Sequence, residues 1–158
     1  MKKFLIPAIF LFFLASAYGG TSVSTIIQTI VPETLAINTD MSTTMTVDVF
    51  NSSKAILGYI NIFSNRSGNW TITISSMNAG SMKGAAAGNS DAYPYTLKFG
   101  TQSNISLATP FSIEMSGKTA AEGTALPLGV DFQNFWDMGS PVSPDTYRDT
   151  ITITIAAA

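Results

Sequence analysis

The sequence predicts an all-β sandwich of about seven strands, on three observations. Apolar and polar residues alternate with period two in one run after another. Turn-forming clusters such as Ser64-Asn65-Arg66-Ser67-Gly68-Asn69, Met77-Asn78-Ala79-Gly80-Ser81 and Met138-Gly139-Ser140-Pro141 punctuate those runs at short intervals. No segment after the first twenty residues carries apolar side chains at helical spacing for three turns.

Residues 1–20 stand apart from the fold. Met1-Lys2-Lys3 is a short basic start, Phe4 to Leu14 an apolar stretch broken only by Pro7, and Ala15-Ser16-Ala17 supplies small residues for a signal peptidase. The apolar stretch is shorter than the roughly 20 residues a spanning helix needs. An exported chain is expected, cut after Ala17, Gly19 or Gly20. Loss of Lys2 and Lys3 leaves the remainder more acidic than the full chain's −2.

Ser22 to Val31 is extended and β-branched, and Pro32 stops it. Val23, Ile27 and Val31 share one face with Thr25 and Thr29; Ile26 and Ile30 occupy the other. Patterning leaves open which face turns inward. Equally open is whether this segment pairs within its own chain or belongs to an arm over residues 21–31, with the sandwich domain spanning 32–158.

The strands follow in order. Thr43 to Phe50 puts Met45, Val47 and Val49 on one face. Ile56 to Ser64 sets Ile60 and Ile62 against Tyr59, Asn61 and Phe63. Trp70 to Ile74 and Tyr95 to Phe99 alternate cleanly, and Ser103 to Leu107 leads toward Phe111 to Met115. Leu126 to Phe132 and Thr150 to Ile155 complete the set. The small, weakly apolar stretch from Gly80 to Ser90 is expected as a surface loop. A chain of this length buries about two-thirds of its surface, enough for one core without disulfides.

Composition removes most site chemistry. The 158 residues contain no histidine and no cysteine, which excludes an imidazole base, a thiol nucleophile and Cys/His zinc sites. No cofactor, metal or enzymatic activity is expected. The 8 basic side chains form no cluster, so no nucleic-acid partner is expected either. Asp131 with Asp137, and Asp145 with Asp149, are the nearest carboxylate pairs. Asp145 reads as a turn residue after Pro144, and Asp149 as part of a strand start.

Phe132-Gln133-Asn134-Phe135-Trp136-Asp137 gathers aromatic rings beside amides and a carboxylate. Two readings stay open: core packing at a strand end, or an exposed platform on which Phe135 and Trp136 hold a sugar ring.

Both chain ends carry a resemblance. Thr146-Tyr147-Arg148-Asp149-Thr150-Ile151-Thr152-Ile153-Thr154-Ile155 follows a Pro-containing turn and closes the chain with Ala156-Ala157-Ala158. With Tyr147, Ile151, Ile153 and Ile155 assigned to one face, it resembles the last strand of chaperone–usher fimbrial and capsular subunits and of spore-coat-U-like domains. The arm from Val23 to Val31, broken at Pro32 before Leu35-Ala36-Ile37, is similar to their donor strand.

That resemblance implies an immunoglobulin-like sandwich lacking its final strand, polymerised by donor-strand complementation into a bacterial surface fimbria or capsule-like fibre. Val23, Ile27 and Val31 would be donor residues. Tyr147, Ile151, Ile153 and Ile155 would line the acceptor groove, and the Ala158 carboxylate would anchor a periplasmic chaperone. The implied partners are identical or related subunits, that chaperone and an outer-membrane usher, with passage through the periplasm to the cell surface. Spore-coat-U-like domains and many fimbrial subunits carry a disulfide that this chain lacks. The competing reading is a self-complete secreted sandwich that binds carbohydrate or another surface ligand, such as a host glycan, through Trp136 and its neighbours.

Overall fold

The computed structural model describes residues 25–140 and 142–158, so the expected signal segment and Val23 lie outside the described residues. The chain divides after Val31, and residues 32–158 form one compact unit. Ten strands occur among the described residues: β1 (Leu35–Thr39), β2 (Lys54–Ser64), β3 (Asn69–Ser76), β4 (Ser81–Gly84), β5 (Ala92–Phe99), β6 (Gln102–Ile105), β7 (Phe111–Ser116), β8 (Thr124–Phe132), β9 (Tyr147–Arg148) and β10 (Ile151–Ala157). A short 3-10 helix covers Phe135–Asp137. No helix among the described residues is long and apolar enough to cross a membrane.

The strands form an all-β sandwich. One sheet runs β1-β2-β8-β5-β4-β9 with β6 also on β5; the other runs β10-β3-β7. Every ladder is antiparallel. Alternation builds the core as the sequence predicts: Ile60 and Ile62 of β2, Leu97 and Phe99 of β5, and Leu128, Val130 and Phe132 of β8 face Trp70, Ile72 and Ile74 of β3. At 25 cal/mol per Å² of buried apolar surface, such side chains supply about 1.5–3 kcal/mol each.

Gly58 marks the one interruption in the β2–β8 ladder, where the register shifts between Ile56 and Gly58. Its φ of 148° lies in glycine's territory, and a Cβ there would come within 2.5 Å of Met41 Cγ. The space goes to Asp40, whose Oδ1 accepts from Tyr59 N at 2.7 Å. The chain leaving β1 is thereby tied back onto β2.

Two expectations need correction. Thr43 to Phe50 is not a strand: residues 43–48 have no ladder partner, and Asp48 turns the chain by accepting from Phe50 N at 3.0 Å and Asn51 N at 3.2 Å. Its period-two pattern survives in the packing, because Val47 and Val49 still reach the core. Conversely, the expected loop from Gly80 to Ser90 contains β4. The next strand, β5, and the sequence-distant β9 supply the hydrogen bonds that its own short pattern did not advertise.

Candidate functional site

The candidate site is the free edge of β10. The chain bends at Pro144 and Asp145, and β9 then joins β4 in the large sheet through Lys83↔Arg148 and Gly84↔Tyr147. Two residues later the chain has changed sheets. Asp149 makes that switch: its Oδ2 accepts from Ser76 Oγ at 2.5 Å and Tyr95 OH at 2.6 Å, and its Oδ1 from Asn78 N at 3.0 Å and Thr150 N at 2.7 Å. Burial, with the Asp149 carboxylate adding to it, pushes the Tyr95 phenol above its ordinary range. The carboxylate therefore clamps β3, β5 and the start of β10 at one point.

From there β10 pairs, among the described residues, with β3 alone, in the register Ile153↔Ile74, Ile155↔Ile72 and Ala157↔Trp70. The two strands turn their side chains to the same core, yet they are covered unequally. Trp70, Ile72 and Ile74 are at most 1% exposed, whereas Ile151, Ile153 and Ile155 are only half-buried. The difference follows from neighbours: β3 has a strand on each side, and β10 has one on a single side. Within Ile151–Ala157 there is no charge, proline or glycine to discourage a further strand. β1 of the facing sheet approaches β10 across the sandwich.

The sequence assigns Tyr147 to the same face as these isoleucines, and the structure corrects this. Tyr147 sits in β9 of the other sheet, its ring edge-on to Tyr93 with centroids 6.4 Å apart and its OH donating to Ser143 O at 2.7 Å. The Asp149 switch separates it from β10. Ala158 continues the ladder, its N donating to Asn69 O at 3.1 Å.

Among the donor candidates, Ile27 and Val31 are 94% and 75% exposed, and so are Ile26 at 90% and Ile30 at 84%. Residues 25–31 form no strand. At the arm's root, Asn65 holds the chain: Thr34 N donates to its Oδ1 at 2.7 Å, and its Nδ2 donates to Pro32 O at 2.8 Å.

No protein-family model matches this chain, and no curated protein matches it.

The two tryptophans have separate fates. Trp70 is core, with Nε1 donating to Gly117 O at 3.1 Å. Trp136 is 74% exposed on the 3-10 helix, with ring centroids 5.3 Å from Phe135 and 5.9 Å from Phe50; Phe50 and Phe135 stand 4.7 Å apart. Asn134 builds this cluster by accepting from Trp136 N and donating to Phe50 O at 3.1 Å. Phe50 was not legible as a member, since it is separated from its neighbours by most of the sandwich sequence and shares no motif with them.

The carboxylates are engaged locally. Asp131 lies 3.1 Å from Lys98 Nζ. Asp145 accepts from Ala86 N at 2.9 Å and Asn89 Nδ2 at 2.7 Å, and these donors hold its carboxyl below the usual range. Asp145 thus pins the loop after β4, in keeping with a turn role.

Proposed function

We propose that this chain is a structural subunit of a bacterial surface fibre, an immunoglobulin-like sandwich completed by the N-terminal arm of another copy. The observation that carries the reading is the one-sided pairing of β10 over a half-covered row of Ile151, Ile153 and Ile155. The strand order supports it. Immunoglobulin constant-type domains run A-B-E-D in one sheet and C-F-G in the other. Here β1-β2-β8-β5 stand in the A-B-E-D order, and β3 and β10 stand as C and F. The strand without a counterpart is G, whose place is beside β10.

The donor is the uncharged, β-branched arm with Ile27, Val31 and, outside the described residues, Val23 on one face. Strand addition satisfies the open backbone edge and sets alternate side chains over the half-buried isoleucines. An edge this long and apolar invites promiscuous pairing, which is the role for a periplasmic chaperone anchored at Ala158 and for an usher that exchanges it. A second reading, a self-complete secreted sandwich that binds carbohydrate, draws on the exposure of Trp136.

Size-exclusion chromatography with light scattering tests the first reading, using residues 21–158 and 32–158. Strand donation requires multimers of the longer form, and a shorter form that needs a peptide of residues 21–31 to stay folded. Stable monomers from both forms would overturn it and turn attention to glycan binding with Trp136→Ala as control.

A further inference from the structure

We propose that the aromatic cluster of Phe50, Phe135 and Trp136 is the seat for the Pro32–Arg66 pole of a second copy of this chain. It would be a body-to-body contact formed as the arm is donated, and it rests on the strand-donation reading above.

Chain direction carries the inference. The sandwich body has two poles, set by the ends of β2. At the Ser64 end, Asn65 holds Pro32 and Arg66 Nη1 lies 2.7 Å from Glu33 Oε2. At the Lys54 end, Phe132 N donates to Ser53 O and Phe135 N to Val49 O, and there the aromatic cluster forms. The eleven residues of β2 separate these poles by about 35 Å.

β10 runs from the aromatic pole to the Ser64 pole. Its start is fixed by Asp149 on Tyr95, the ladder partner of Phe132, and its end by Ala158 on Asn69. Every ladder among the described residues is antiparallel, and so is a strand G on F. A strand added antiparallel to β10 therefore runs the opposite way and finishes at the aromatic pole.

The arm leaves little slack there. Val31 is itself a donor residue, and Pro32 of the donor copy follows it immediately. The pole of the donor that holds Pro32 must then abut the pole of the acceptor that holds Trp136. The chemistry suits the contact. Trp136 and Phe50 present apolar ring faces, and Asn134 spends both its amide atoms on the local backbone. The exposed ring of Pro32 packs well on such faces.

The absence of cysteine permits a clean test in residues 21–158 carrying Trp136→Cys and Ser67→Cys together. Within one copy these positions lie at opposite poles, far beyond the roughly 7 Å that a disulfide tolerates between Cα atoms. Oxidised multimers of the double variant are expected to run as a covalent ladder, with each single variant stopping at dimers. In wild-type multimers, iodide is expected to find no accessible tryptophan, Trp70 being core and Trp136 covered. Multimers that give no ladder and keep a quenchable tryptophan lost in Trp136→Phe would overturn the seat while leaving strand donation standing. Glycan binding abolished by Trp136→Ala in those multimers would assign the cluster to carbohydrate instead. A chain that stays monomeric would overturn both.

Discussion

The three-stranded sheet has two edges, β10 and β7, and they are built differently. Each carries three half-buried apolar residues facing the core: Ile151, Ile153 and Ile155 on one, Phe111, Ile113 and Met115 on the other. Between its apolar residues β7 sets Glu114, and Lys118 follows two residues past its end; β10 sets only threonine and alanine. Natural sheets blunt an edge they do not use with charge, short length or a bulge. On the proposed reading, β10 is the edge left ready for a partner and β7 the edge protected from one.

The largest effect is expected at the point that creates the β10 edge. Asp149→Ala removes a charge-assisted acceptor shared by Ser76, Tyr95 and two backbone amides and should destabilise the body by about 2–4 kcal/mol, read as a drop in urea midpoint. Next come the matched edge substitutions Ile153→Ala and Ile113→Ala. Each should cost the body, held with a peptide of residues 21–31, about 2 kcal/mol, at the low end of the range for buried sites. Only Ile153→Ala should also lower the multimer fraction in light scattering; equal losses from both would erase the distinction between the edges. Smaller still is Glu114→Thr, which should change unfolding stability by no more than about 0.5 kcal/mol. It should nonetheless promote irregular association through β7, seen as broadened scattering peaks.

The smallest effect concerns pH and lies away from both edges. The amides of Ala86 and Asn89 hold the Asp145 carboxyl below its ordinary value of 3.8. A depressed folded-state value means that the contribution is present above the unfolded value and lost as pH falls through the folded one. Protection of the Ala86 amide in hydrogen exchange, corrected for intrinsic rates, should therefore hold from neutrality down to about pH 4 and fall only below it. Asp145→Asn should flatten that dependence.

The strands were legible where period-two alternation coincided with burial, as at Ile60 and Ile62, Ile72 and Ile74, and Ile151 to Ile155. They were illegible where pairing alone defined them, as in β4, or where pattern lacked a partner, as at Val47 and Val49. Alternation records which face is buried, and a ladder also needs a neighbour. The β10 isoleucines of the candidate site could be read from their spacing. Asp149 could be read only as a strand-start residue, because its partners Ser76 and Tyr95 come from other strands. For the same reason Tyr147 was grouped with a strand from which Asp149 separates it.

Hydrogen exchange along both edges of the three-stranded sheet, in multimers of residues 21–158, tests the central claim most directly. Amides of β10 are expected to be protected as strongly as those of β3, with the outward amides of β7 exchanging fast. Rapid exchange along β10, matching β7, would contradict the claim that the arm of another copy completes this edge.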